Sequence, residues 1–130
     1  MTHILVVDNL PAQVILNKAL TKLGGYTVTA TDDVWTALAL AHSGKVALAV
    51  VNLALDLSRS NWILDNALEL IRKLKGDPGS HTVLVLMITS DKAPHEAERL
   101  CHACGADDYL AGPFVEPQKL VDKVRAMLAA

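Results

Sequence analysis

Polar residues follow several apolar runs of this 130-residue sequence, and their types are the ones that could do chemistry. In chain order they are Asp8 and Asn9 after "HILVV", Asn52 after "VALAVV", Thr89 and Ser90 at the end of "TVLVLMITS", and Gly112 and Pro113 after "DYLA". A carboxylate such as Asp8 can ligate a hard cation or attack an electrophile, whereas the amide of Asn52 is neutral and a very poor nucleophile. Whether these residues act together depends on the elements that carry them.

Short β-branched or continuous apolar runs predict five strands, at 3–7, 26–30, 46–51, 82–89 and 108–110. A helical segment follows each run. The first begins at Pro11 and stops at Gly24 and Gly25, with an apolar face formed by Ile15, Leu16, Ala19, Leu20 and Leu23. The third stops near Gly76, with Ser58 or Ser60 as alternative caps, and the fourth stops at Gly105.

Strand and helix therefore alternate five times, which predicts an α/β fold with a parallel sheet and right-handed crossovers. Continuous rather than alternating apolar strands indicate that helices cover both faces of the sheet. Ligands of open parallel sheets bind at the carboxyl ends of the strands. The polar residues named above should therefore converge in one pocket.

Composition narrows the class of protein. The chain is 52% hydrophobic, so we expect one domain over 1–130 with its own core and no output domain in this chain. A net charge of −2 argues against a nucleic-acid partner, and no apolar run is long enough for a membrane span. The N-terminus does not read as a signal peptide and there are only two cysteines, which favours the cytoplasm.

Three motifs, "ILVVDN", "DPGSHTVLVLMITS" and "GADDYLAGPF", resemble in order and spacing the receiver domain of response regulators of two-component signalling. The resemblance covers nearly the whole chain. It implies a flavodoxin-like, doubly wound sheet with strand order 2-1-3-4-5, and partners that are proteins, such as a histidine kinase, an output protein or a second copy in a homodimer.

The resemblance also implies roles for individual positions. In the family, an acidic pair binds Mg²⁺, an Asp at the end of the third strand accepts a phosphoryl group, and a Thr or Ser and a Lys contact it. By position, Asp8 matches the first acid and Thr89 matches the hydroxyl residue. Asn9 stands where the second acid is expected, and Asn52 stands where the phosphoacceptor is expected. Gly112 stands where the Lys is expected, before Pro113 and Phe114, and Tyr109 matches the aromatic residue of the switch and partner face. The resemblance extends to a cis peptide bond between Gly112 and Pro113.

Three of these positions depart from the family pattern. Asn52 cannot form an acyl phosphate, and Mg²⁺ would find only Asp8 where the family supplies three carboxylates. Gly112 removes the cation that would balance phosphoryl charge. The sequence thus predicts a receiver that has lost its phosphoryl chemistry, a pseudo-receiver, with no catalytic residue and weak or absent Mg²⁺ binding. It would act through protein contacts and would not be an enzyme.

Two alternatives stay open. In one, Asp56, Asp65 or Asp91 replaces the missing acid and the chain still binds Mg²⁺ or a phosphoryl group. A structural role for these three residues, as solvated loop carboxylates or helix caps, is favoured over a role as replacement acid. In the other, the neutral pocket or an apolar crevice holds a small ligand such as a quinone, and the protein is a sensor.

Three further features have structural interpretations. Cys101 and Cys104 form a CxxC, but they share a helical stripe with Ala97 and Leu100 and are expected in the core. The connection 53–64 is longer than usual in the family, and it is either an extended helix or a partner loop carrying Trp62. The basic residues of the last helix, Lys119, Lys123 and Arg125, are expected to form an ordinary solvated face.

Overall fold

The computed structural model describes residues 2–54, 67–90, 92–112 and 116–130. Its five strands are His3–Val7 (β1), Thr27–Thr31 (β2), Leu48–Asn52 (β3), Leu84–Thr89 (β4) and Asp108–Ala111 (β5). Its helices are Ala12–Lys18 (α1), which continues as a π-helix over Ala19–Leu23, then Val34–His42 (α2), Ala67–Gly76 (α3), Pro94–Cys104 (α4) and Pro117–Ala129 (α5).

All strand pairs are parallel and the strand order is β2-β1-β3-β4-β5, which confirms the predicted doubly wound α/β fold. β3 is central and fully buried up to Val51. The predicted strand bounds were one or two residues early for β2, β3 and β4. The difference matters at one position, because Asn52 is the last residue of β3, in register with Ile88, and not the first residue beyond it.

Two apolar layers cover the sheet. One contains α2, α3 and α4 against alternate strand residues such as Leu5, Ala49 and Val85, and the other contains α1, the π-helix and α5 against Ile4 and Val50. Because successive strand residues point to opposite faces, both sets of a continuous apolar strand are buried. The two layers fix the strand ends, and with them the polar residues of the pocket.

The start of α2 and the ends of α3 and α4 follow from the residue types at those positions. Asp33 is the N-cap of α2, and its carboxylate accepts hydrogen bonds from the backbone and the hydroxyl of Thr36 at 2.9 and 2.6 Å. Gly105 ends α4 with a φ of 84°, a left-handed conformation that favours glycine, as predicted. α3 ends at Gly76 as predicted, whereas its predicted caps Ser58 and Ser60 lie outside the described residues.

The predicted inner face of α1 was wrong at two positions. Leu16, Ala19 and Leu20 are buried, but Ile15 is 57% and Leu23 is 47% exposed. The sequence pattern assumed one α-helical period throughout. The helix widens into the π-helix after Lys18, which changes the angular spacing of the side chains that follow and accounts for Leu23, although not for Ile15.

Candidate functional site

The carboxyl ends of three neighbouring strands bring the candidate residues together. Asp8 follows β1, Asn52 ends β3 and Thr89 ends β4, and β3 lies between the other two strands. Gly112 follows β5, and its backbone N–H donates to the carbonyl of Thr89 at 3.2 Å. Hydrogen bonds thus join Asp8 to Asn52 and Gly112 to Thr89, and the predicted convergence of all these positions in one pocket stays a prediction.

Asp8 is the buried acid of this site, with only 3% of its surface exposed. Its Oδ2 accepts a hydrogen bond from Asn52 Nδ2 at 3.0 Å, and its Oδ1 accepts one from the backbone N–H of Asn9 at 2.8 Å. Burial raises the pKa of the Asp8 carboxyl, because the charged form loses hydration, and the two hydrogen bonds partly oppose that rise. Both carboxylate oxygens thus have protein donors.

Asn52 uses both ends of its amide. While Nδ2 donates to Asp8, Oδ1 accepts a hydrogen bond from the backbone N–H of Ala54 at 2.9 Å. An aspartate at this position could keep the second bond but not the first, because a carboxylate has no donor at neutral pH. The donor that Asn52 offers to Asp8 is therefore what an aspartate would lack.

Gln13 is a site residue that the sequence interpretation missed. Its Nε2 donates to the carbonyl oxygen of Asp8 at 2.8 Å, and its backbone N–H donates to the carbonyl of Asn9 at 3.1 Å. These bonds tie the turn after β1 to the first turn of α1. The signal in the sequence was a polar residue, Gln13, in the first turn of the helix that follows Asp8.

Other predicted site residues are only partly described. Thr89 is buried with 2% of its surface exposed, and Asn9, Tyr109 and Gly112 are half-buried. Tyr109 packs against the core layer formed by α2, α3 and α4. Pro113 with its predicted cis peptide bond, Phe114, Trp62, Asp56, Asp65 and Asp91 lie outside the described residues.

The donors of this site do not fit Mg²⁺. The ion prefers about six oxygen ligands in octahedral geometry and favours anionic ones. Among the described residues at these strand ends, Asp8 is the acidic side chain, and its Oδ2 faces the amide donor of Asn52. A cation at Oδ2 would have to displace that N–H group.

Cys101 and Cys104 lie in the core, as predicted. They are 6% and 2% exposed and pack with Ala97 against the sheet. Burial, followed by the charge of Cys104 and nearby carboxylates, raises the pKa of Cys101 to about 11, and burial raises that of Cys104. Within the described ranges, no group of three His, Cys, Asp or Glu side chains could hold a metal ion.

Asp107 and Asp108 have structural partners next to β5. Asp107 Oδ2 accepts hydrogen bonds from the backbone N–H of Val85 at 2.8 Å and from Lys75 Nζ at 2.9 Å. Asp108 Oδ2 accepts one from Lys123 Nζ at 3.1 Å. Both side chains therefore have a structural role, because they hold the start of β5 to α3, β4 and α5.

The basic residues of α5 are less free than predicted. Lys123 is half-buried and paired with Asp108, and Arg125 donates to the carbonyl of Leu23 at 3.0 Å. Lys119 is exposed and lies 3.8 Å from Glu116. The expected solvated face is therefore correct for the exposed residues Lys119 and Arg125, whereas Lys123 is half-buried and fastens α5 to β5.

In the part of the chain that the structure describes, no helix is long and apolar enough to cross a membrane.

Solved structures of similar fold are response regulators. The chain is 21% identical to chemotaxis response regulator CheY4 of Vibrio cholerae, with a TM-score of 0.76 over 97% of this chain and 98% of that one. It is 20% identical to a response regulator from Desulfuromonas acetoxidans, with a TM-score of 0.79 over 99% and 98% of the two chains. It is 22% identical to an orphan response regulator of H. pylori, with a TM-score of 0.73 over 98% and 96%. At these identities the likeness shows the fold.

The family follows from the sequence itself. No curated protein matches the chain. The model of the response regulator receiver domain, however, matches residues 4–125, which is almost the whole chain and includes every strand end described above. This protein belongs to the receiver domain family of response regulators, the signalling modules of two-component systems.

Proposed function

We propose that this receiver domain signals without phosphorylation, as a pseudo-receiver that acts through protein–protein contacts. The observation that carries the proposal is the bond from Asn52 Nδ2 to Asp8 Oδ2 at 3.0 Å. The family resemblance assigns the position of the phosphoacceptor to Asn52, whose side chain is a neutral amide. The bond occupies an oxygen of the remaining acid with an internal donor.

Three changes at the site support each other chemically. A site with one buried carboxylate has little charge with which to hold Mg²⁺ or to balance a buried ammonium group, so a glycine at position 112 suits it. The raised pKa of Asp8 supports the proposal, because no cation among the described residues lies beside the carboxylate to hold it ionised. Asn52 keeps the shape of the pocket, removes a negative charge and adds a hydrogen-bond donor to Asp8.

The protein would then hold one conformation at its partner surface or change it by a signal other than a phosphoryl group. Tyr109 and Phe114 are the residues that the family resemblance assigns to that surface. A histidine kinase or an output protein is the expected kind of partner, and the cytoplasm is the expected compartment.

The deciding experiment is an amide NMR titration of ¹⁵N-labelled protein with Mg²⁺ and then with Mg²⁺ plus beryllofluoride, a phosphoryl mimic. We expect no change at millimolar metal in the amide chemical shifts of Asp8, Asn9, Asn52 and Thr89. Saturable shifts that spread to Tyr109 would overturn the proposal.

The same titration tests the alternative of a replacement acid. If shifts appear, Asp56→Asn, Asp65→Asn and Asp91→Asn variants are titrated in turn. Loss of the shifts in one variant identifies the substitute acid, and the other two variants serve as matched controls. The small-ligand sensor stays a prediction, which mass spectrometry of the native purified protein checks by looking for a bound ligand.

A further inference from the structure

An open apolar cleft of about 320 Å³ lies between the first helix and the last. Ile15, Ala19 and Leu23 line it from α1 and the π-helix, and Pro117 lines it from the first turn of α5. Ala19 is buried and contributes only a methyl group, so it forms a floor, whereas Ile15 and Leu23 are exposed. Large apolar side chains around a concave surface of this volume are typical of small-ligand sites.

The two helical walls of the cleft are fastened to each other at one end. The guanidinium group of Arg125 donates to the carbonyl of Leu23 at 3.0 Å, which joins α5 to the end of the π-helix. Pro117 precedes Arg125 by eight residues, and Ile15 precedes Leu23 by the same number. The cleft therefore runs along about two helical turns, or about 12 Å, which is the length of an extended chain of about ten carbon atoms.

The border of the cleft is basic. Lys18 and Lys22, one helical turn apart, line it and are both exposed. None of the ion pairs between described residues involves either lysine. Residues 10–31 include no acid, and the acid at the start of α5, Glu116, lies 3.8 Å from Lys119. An apolar trough thus adjoins two ammonium groups that a ligand can approach.

We propose that this cleft binds a free amphipathic anion, a single acyl chain with a carboxylate head group such as a medium-chain fatty acid. The chain lies along Ile15, Ala19 and Leu23, and the carboxylate pairs with Lys18 and Lys22, whose flexible stems let both ammonium groups reach it. A neutral quinone would leave both lysines without a role. The inference goes beyond the proposed function, because it concerns residues outside the strand-end site.

An anionic membrane surface is the main rival, because it also attracts a helix with exposed apolar and basic residues. Val14 distinguishes the two ligands. It is 58% exposed on α1, as much as Ile15, but it is not among the residues that line the cleft. A membrane would take up both side chains, whereas a single chain in the cleft would contact Ile15. The single chain is favoured because the apolar lining is concave and comes from two helices.

Amide NMR titration of the ¹⁵N-labelled full chain with decanoate, at concentrations below those at which it forms micelles, tests the proposal. We expect saturable shifts at the residues of the helical wall, which are Ile15, Lys18, Ala19, Lys22 and Leu23. Octanoate is two methylenes shorter and should bind about four- to fifteenfold more weakly, since each methylene contributes about two- to fourfold. 1-Decanol, which has the same chain without the charge, should bind at least about threefold more weakly.

Single substitutions test the two parts of the site separately. Ile15→Ser should weaken decanoate binding about fivefold or more, and its matched control Val14→Ser should leave binding unchanged. Lys18→Gln and Lys22→Gln should each weaken binding of decanoate several-fold and leave binding of 1-decanol unchanged. Lys45→Gln, which replaces an exposed lysine after α2, should change neither. Circular dichroism verifies that each variant folds.

Three outcomes overturn the proposal. One is the absence of saturable shifts up to millimolar decanoate. Another is an equal loss in Ile15→Ser and Val14→Ser with binding to phosphatidylglycerol vesicles, which would assign the helix to a membrane surface. The third is an equal effect of the lysine variants on decanoate and 1-decanol, which would exclude recognition of the carboxylate. The Mg²⁺ titration reads the amides of the strand ends and this titration reads those of the helix, so the two proposals can fail separately.

Discussion

Asn52 Nδ2 donates to Asp8 Oδ2 across 3.0 Å, which joins the end of the central strand to the residue that follows its neighbour β1. In this pair a neutral side chain donates to a buried carboxylate, beside which the described part of the chain places no cation. The pair explains why an amide at position 52 and a single acid at position 8 belong together. The charge and the hydrogen bonding of this pocket therefore depend on one atom, Nδ2 of Asn52.

Restoring the family's acid should destabilise the protein. Asn52→Asp removes the donor and places two carboxylates within hydrogen-bond distance, so we expect a loss of about 2 kcal/mol in the free energy of unfolding at neutral pH. Urea unfolding measures it. Mg²⁺ should return part of the loss to the variant by mass action, and it should leave the parent unchanged.

A matched control for that change is Asn17→Asp, the same substitution on α1. The backbone carbonyl of Asn17 accepts a hydrogen bond from the hydroxyl of Thr21, but the Asn17 side chain is not part of the site. This variant should respond to Mg²⁺ as the parent does. Equal stability of Asn52→Asp and the parent, with no metal effect, would contradict our account of the pair.

The raised pKa of Asp8 gives a definite pH dependence. Between the unfolded value near 3.8 and the higher folded value, the native state binds more protons than the unfolded state at this residue. The contribution of Asp8 to stability is therefore greatest at low pH and falls as pH rises through this window. Above the folded value the ionised carboxylate is buried at a cost.

The measurement is urea unfolding of the parent and of Asp8→Asn at several pH values from acid to neutral. The stability of the parent relative to the variant should decline as pH rises, because the variant has no titrating group at this position. An increase with pH would mean that the native state favours the ionised form, and our assignment of burial as the dominant cause would be wrong.

Asp107 connects β4, the turn before β5 and α3, so its loss should be costly. Asp107→Ala leaves the buried N–H of Val85 and the half-buried Lys75 without their shared acceptor, although Lys75 Nζ keeps its bond to the carbonyl of Val83 at 3.0 Å. We expect a loss of about 2 kcal/mol in the free energy of unfolding. Thermal or urea unfolding measures it.

A comparison within the same region uses Lys73→Met. Lys73 pairs with Asp77 at 3.2 Å on an exposed helix face, where such pairs contribute about 0.5 kcal/mol or less. If Asp107→Ala costs no more than Lys73→Met, the bond to Val85 has little energetic weight.

Both cysteines should be inert in the native protein. Burial and a pKa of about 11 leave Cys101 almost without thiolate at pH 8, and Cys104 is equally enclosed. Labelling with a chromogenic disulfide should be slow, and its rate should rise steeply as urea approaches the unfolding midpoint. Fast stoichiometric labelling without urea would contradict the core assignment and reopen the redox interpretation of the CxxC.

The sequence by itself determined the fold and most of the pocket. Continuous apolar strands such as "VALAVV" report burial on both faces, and polar residues at their ends report the edge where ligands bind, because both signals are local consequences of a parallel sheet. That position 52 holds an amide and position 112 a glycine is likewise visible without coordinates. The residue type alone shows whether a side chain can carry a charge.

Only the tertiary structure decided how these residues are partnered. The bond between Asn52 and Asp8 joins positions 44 residues apart, and that between Asp107 and Lys75 joins positions 32 apart, so no local pattern could indicate either. The exposure of Leu23 was also hidden, because the sequence pattern assumed a uniform α-helix and the π-helix after Lys18 changes the angle at which later side chains leave the axis. Charge and burial tendency belong to the residue, whereas partners and facing directions depend on distant segments that only folding brings together.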